Sequence, residues 1–184
     1  MDVARLLHEH SKLRSLSAAL VEVVSTTQAC DFDELARRRW DLARMVHMHL
    51  AYEERQLFAP LAADLRPEVR AAAMKAKRGV EQLHGLYKEH VERWDADEIQ
   101  KRWPEFQVAV RRMVGRMLMK IEHEEADLFP LVAKDVDVDR CWRPGMRNWA
   151  GDGVALQPLL TGGTLRVDDA SAHAIARYPA ASRP

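Results

Sequence analysis

The sequence predicts an all-α fold: an up-down-up-down four-helix bundle over residues 1–134, followed by an irregular C-terminal extension over residues 135–184. Three observations carry this. Four segments repeat their apolar residues at the helical period, the links between them are short and marked by proline or aspartate, and the period is lost beyond Lys134.

The first segment runs from Val3 to about Val24, where Val3, Leu6, Leu7, Leu13, Leu20, Val21 and Val24 recur among charged residues. Cys30-Asp31-Phe32-Asp33 offers capping side chains for a second helix, from about Asp33 to Phe58, with the stripe Leu42, Met45, Val46, Leu50 and Leu57. Pro60 and Pro67 bracket the next connection, because proline lacks an amide donor and drives the residue before it out of helical geometry. The third helix starts near Pro67 and carries Ala73, Ala76, Val80, Tyr87, Val91 and Trp94. Asp95-Ala96-Asp97 breaks it. Pro104 then opens a fourth helix, bearing Phe106, Val110, Met113, Val114, Met117, Leu118 and Ile121 and ending near Phe129-Pro130. Met113, Met117 and Met119 read as gap-filling core, and Trp94 and Trp103 as packing at the bundle end. The extension is rich in Gly, Pro, Asp and Ala.

Composition narrows the functional classes. Lys+Arg and Asp+Glu number 28 each, so no net field draws in nucleic acid or an anionic membrane. The two cysteines, Cys30 and Cys141, lie far apart outside any CxxC pattern, which argues against a disulfide framework or a zinc ribbon and for a reducing compartment. MDVARLLHEH lacks the apolar run of a signal peptide, and no stretch approaches 18 consecutive apolar residues. A soluble, cytoplasmic chain is the expectation.

Helical phase selects the candidate site. Residues four apart share a face, so His49 and Glu53 both fall within the arc of Leu42, Val46 and Leu57 and point inward. His47 projects away from that arc and is expected to be solvated. His10 lies beside Leu6, Leu13 and Val21, whereas His8 is on the opposite side. His84 and His90 border the third stripe on either side, and phase alone does not separate them. Glu124 lies with Ile121 and Leu128, and His123 is turned away. A buried carboxylate costs several kcal/mol unless paired or bound to metal, so two of them beside inward imidazoles call for a cation. The mixed N/O donor set suits iron, manganese or zinc.

These residues resemble the hemerythrin-like, HHE cation-binding family over about residues 1–134. The resemblance is carried by HEHSKLRSL on the first helix, HLAYEERQLFAP on the second, a histidine on the third, and KIEHEEADLFP, which repeats the second-helix pattern, on the fourth. It implies non-haem iron, as a diiron pair, held by His10, His49, Glu53, His84 and Glu124, with Glu53 and Glu124 bridging; the interval between the second and third helices favours His84 over His90. One departure stands out. Aligning Leu57-Phe58 with Leu128-Phe129 pairs His49 with Lys120, so the fourth-helix histidine is replaced by a residue that cannot ligate as an ammonium. Three outcomes follow: an open coordination position, substitution by His90 or His123 (against helical phase for His123), or loss of the second site to leave a mononuclear or empty bundle. In a metal-free bundle Lys120 is expected to pair with Glu124 four residues on.

The resemblance implies a protein that binds or reacts with O2, peroxide or NO, as a sensor or an oxidase-like enzyme, and Lys120 disfavours reversible oxygen carriage. The alternatives are a regulatory or interaction bundle with a degenerate site, and metal storage. In the extension, GVALQPLLTGG and AIARYPAASRP resemble the entry strands of a ChrR-type cupin.

Overall fold

The computed structural model describes residues 2–25, 31–132 and 146–163. Cys30, Cys141 and the AIARYPAASRP segment lie outside these described residues. Four long helices form the bundle: α1 (Val3–Val23), α2 (Phe32–Glu53), α4 (Pro67–Arg93) and α6 (Trp103–His123), with the short α3 (Ala59–Ala62) and α5 (Ala96–Lys101) in the connections. Local signals set the helix ends, at Asp31 and Pro67 as expected. Asp2 and Asp31 cap α1 and α2 by accepting from the Arg5 and Asp33 amides, and Asp95 caps α5 through Glu98. Proline opens α4, where its missing amide costs nothing.

Around the bundle α1 neighbours α2 and α6, and α6 neighbours α4. Two apolar clusters fill the interior. One gathers Leu6, Leu50, Leu57, Phe58, Leu128 and Phe129; the other gathers Leu13, Leu42, Trp94, Trp103, Phe106 and Ile121. Trp94 and Trp103 pack with Phe106, as the sequence predicts. The expected core role holds for Met113 and Met117, which line an internal cavity, but Met119 is exposed. The second and fourth bundle helices both leave α-geometry within the repeated segment, one residue out of step, in π-helical turns at Glu54–Phe58 and Glu124–Leu128. Such turns insert a residue into the helical register and re-aim the side chains around them.

The extension is not irregular throughout. Trp149–Thr161 form α7, capped by the Asn148 side chain at one end and by Gly162 in left-handed geometry at the other. The GVALQPLLTGG segment is therefore the end of a helix, which overturns its likeness to a cupin strand. α7 packs on α2 and α4, where Leu156 and Leu160 join Ala43 and Val91. This docking also corrects the expectation for His47: it faces away from the bundle axis, yet α7 covers it and leaves it 2% exposed.

Gly153 sets how closely α7 can approach. A Cβ at this position would stand 2.8 Å from His47 Cγ, well inside van der Waals contact. Gly153→Val is therefore expected to push α7 off α2, at a cost of about 1–3 kcal/mol from overpacking. Gly79→Ala, where nothing lies within 4 Å, should instead stabilise α4 by about 0.5–1 kcal/mol. Chemical denaturation gives both signs, and hydrogen exchange of the α7 amides locates the first effect.

Candidate metal centre

The site lies where the two apolar clusters meet. On α1, His10 falls between Leu6 and Leu13; on α6 and its π turn, Glu124 falls between Ile121 and Leu128; on α2, His49 and Glu53 share one face. His10, His49, Glu53 and Glu124 are all buried, and one donor atom from each lies within 4.8 Å of the other three. These are four of the five residues that the sequence singles out as ligands.

The two imidazoles are aimed by carboxylates behind them. His10 Nδ1 donates to Glu125 Oε1 at 2.8 Å, and His49 Nδ1 donates to Glu9 Oε2 at 3.0 Å. Both Nε2 atoms are thereby turned to one point and stand 3.1 Å apart. An orienting carboxylate on the far nitrogen fixes the tautomer and raises the basicity of a metal-ligating histidine. The carboxylates are anchored in turn, Glu9 by Arg5 at 2.9 Å and Glu125 by both terminal nitrogens of Arg14 at 2.9 Å. Phe129 stacks on the His10 ring and closes that side.

Glu53 and Glu124 each present two oxygens to different neighbours. Glu53 Oε1 lies 3.3 Å from His49 Nε2, and Glu124 Oε2 lies 3.6 Å from His10 Nε2. Neither of these two buried oxygens has a hydrogen-bond donor within the protein. The opposite oxygens, Glu53 Oε2 and Glu124 Oε1, both contact Lys120 Nζ, the former at 3.3 Å. The expected Lys120–Glu124 pair is thus present, and the same ammonium also reaches across to α2.

Burial works against charge throughout the cluster. It lowers His10, together with neighbouring His49, to about 4, so His10 is neutral. For His49 burial is outweighed by Glu53, with Glu9 behind it, and the pKa rises to about 9. Burial also opposes the Glu53 carboxylate, yet His49 and Lys120 hold it well below the usual carboxylate range. Glu124 goes the other way, pushed up to about 8 by burial and by the charge on Glu53, against the pull of Lys120. Lys120 loses by burial but gains more from Glu124 and Glu53, so its pKa is raised and it stays an ammonium. Without metal, the point between the imidazoles is therefore held by a proton.

A divalent ion fits this donor set. It would take the place of that proton and satisfy the two orphaned carboxylate oxygens, while two imidazoles and two carboxylates suit iron, manganese or zinc. The structure does not bring His84 to this group. Arg147, which can only donate, bonds to His84 Nδ1 at 3.0 Å; His84 Nε2 must then donate to His47 Nε2 at 3.2 Å, and His47 Nδ1 donates to the Ala43 carbonyl at 2.7 Å. Both ring nitrogens of His84 are engaged, and Trp149 of α7 packs edge-on against the ring. His90 is also apart from the cluster, stacked on Phe106, and His123 and His8 are exposed.

Sequence reasoning missed the second row of the site. Glu125 and Glu9 had readable signals: the doubled glutamate in each repeat, and arginines four residues from Glu9 and from His10. The repeat uses its second glutamate alike on both helices, Glu125 toward Arg14 of α1 and Glu54 toward Lys77 of α4.

The Hemerythrin HHE cation binding domain family matches residues 1–132 of the 184, and the chain belongs to that family. No curated protein and no solved structure gives a match. Family and cluster together define a helical, metal-binding class of protein.

Loading an ion must expel the protons that burial and pairing keep on His49 and Glu124 below about pH 8 to 9. Apparent affinity for a divalent ion is therefore expected to rise with pH, by about one to two log units per pH unit between pH 6 and 8, and to level off above 9. Isothermal titration with Zn(II) in buffers of different ionisation heat counts the released protons. An affinity independent of pH over this range would contradict the assignment.

Proposed function

We propose that the protein is a non-haem iron protein that binds or reacts with a small molecule such as O2, peroxide or NO. The observation that carries this is the convergence of His10 Nε2 and His49 Nε2 with two buried, donor-less carboxylate oxygens. Four protein donors leave an iron ion with positions open to an exogenous ligand, and the metal would supply electron transfer and Lewis acidity there. The chain's own residues supply the rest. Glu9 and Glu125 orient the imidazoles, and Lys120 places an N–H donor beside the carboxylates.

Access favours a small, uncharged ligand. A cavity of about 80 Å³ adjoins His49 and Lys120, and its remaining wall is mostly apolar, including Leu13, Val46, Val80 and Met117. A small neutral molecule enters such a space without losing solvation that the walls cannot replace, whereas a hydrated anion does not. No helix of the described residues is long and apolar enough to cross a membrane.

A second reading, an interaction bundle that works without metal, is favoured by the ammonium already seated on Glu53 and Glu124. The two separate on one experiment. His49→Ala with Glu53→Ala is expected to reduce iron from a stoichiometric to a trace level in protein purified from iron-replete cells, with loss of the visible spectrum and of cellular function. Intact cellular function in the iron-free variant would reject the iron reading in favour of the interaction bundle.

A further inference from the structure

The carboxylates at the centre have two sides, and the two sides are not alike. On one side Glu53 Oε1 and Glu124 Oε2 face His10 and His49. On the other side Glu53 Oε2 and Glu124 Oε1 converge on Lys120 Nζ. Each carboxylate thus spans two cation positions, as a bridging carboxylate does between two metals, but only the first position is lined by imidazole nitrogen. We propose that Lys120 is the built-in second cation of this centre, so that the chain takes a single metal ion between His10, His49, Glu53 and Glu124; this rests on the metal-binding reading above.

Three facts support the assignment. The lysine side chain is only 16% exposed and is held by both helices that carry the carboxylates, so its position is fixed by the bundle and not by solvent. Its charge offsets the Glu53–Glu124 repulsion that a second divalent ion would otherwise have to offset. No free imidazole is at hand to build a second site: His84 lines the same cavity as His49 and Lys120, but both its nitrogens are spent on His47 and Arg147, and His90 lies against Phe106. Among the described residues, the four-donor group is the one cluster able to hold a metal ion.

The test is a metal count that does not depend on activity. The full chain, stripped of metal, is titrated anaerobically with Co(II), followed by visible absorption, metal analysis after dialysis, and electron paramagnetic resonance. The expected result is a break at one equivalent per chain and the signal of an isolated high-spin ion. Two equivalents with a spin-coupled pair would overturn the inference and leave the metal-binding reading standing. No bound Co(II) would overturn that reading, and this inference with it.

Variants at the lysine address its role directly. Lys120→His is expected to admit a second equivalent, and a chain still limited to one would overturn the assignment of Lys120 as the second cation. Should that variant not fold, Lys120→Gln keeps a polar donor on a side chain one atom shorter and removes the charge. It is expected to bind the first Co(II) about tenfold more tightly, because a cation a few ångströms from the site is gone. Unchanged or weaker affinity would count against Lys120 as a fixed charge in the site.

Discussion

Two carboxylates buried side by side in an apolar bundle cannot both stay ionised without a cation between or beside them. The rest of the centre answers that constraint. Glu53 and Glu124 are essentially without solvent, and their four oxygens are divided between an imidazole pair and a lysine. The arginines Arg5 and Arg14 do not touch these carboxylates; they hold Glu9 and Glu125, which hold His49 and His10. The buried pair is thus tied outward through the imidazoles to carboxylates, and from those to arginines near the surface. The imidazoles are as buried as the carboxylate pair, but Glu9 and Glu125 are more exposed and Arg5 and Arg14 more exposed still, so the outer two layers are cheaper to ionise.

The bundle itself was largely legible because its signals are local. Helical phase alone put His10, His49, Glu53 and Glu124 on inward faces, and Pro67, Pro104 and the Asp31 cap fell where the structure has them, whereas Pro60 lies within α3. The π turns at Glu54–Phe58 and Glu124–Leu128 were not legible as such. Nothing in a stripe of apolar residues distinguishes a turn of four from a turn of five, although the repeated glutamate pair followed by Leu-Phe marks the place. At the start of that turn Glu53 faces the site while Glu54, one residue on, is buried toward Lys77.

What escaped the sequence depends on long-range packing. α7 has two glycines, an internal proline and apolar residues around most of its surface, so it shows none of the amphipathic periodicity that identified the others. Its glycine is a condition of contact: Gly153 lets the backbone lie against the His47 ring. With α7 in place, His47 changes from an outward histidine to a buried one, and Arg147 and Trp149 arrive beside His84. The sequence places His84 on the border of a stripe, and the border is where a neighbouring element decides the outcome. Here it is drawn toward α7 and not toward the carboxylates.

The two repeated segments show how one substitution can divide an otherwise symmetric design. HLAYEERQLF on α2 and KIEHEEADLF on α6 supply one inward glutamate each, and each puts its second glutamate on a cation of a neighbouring helix. The difference lies four residues before the inward glutamate, where His49 offers a lone pair and Lys120 offers a charge. A lone pair binds a cation that can be exchanged, whereas an ammonium tethered to α6 is a cation that cannot leave. It also has no redox chemistry. A bridging pair with Lys120 on one side therefore has one of its two charges offset whether or not metal is present, but any electron the centre gives or takes must come from the His10–His49 side alone.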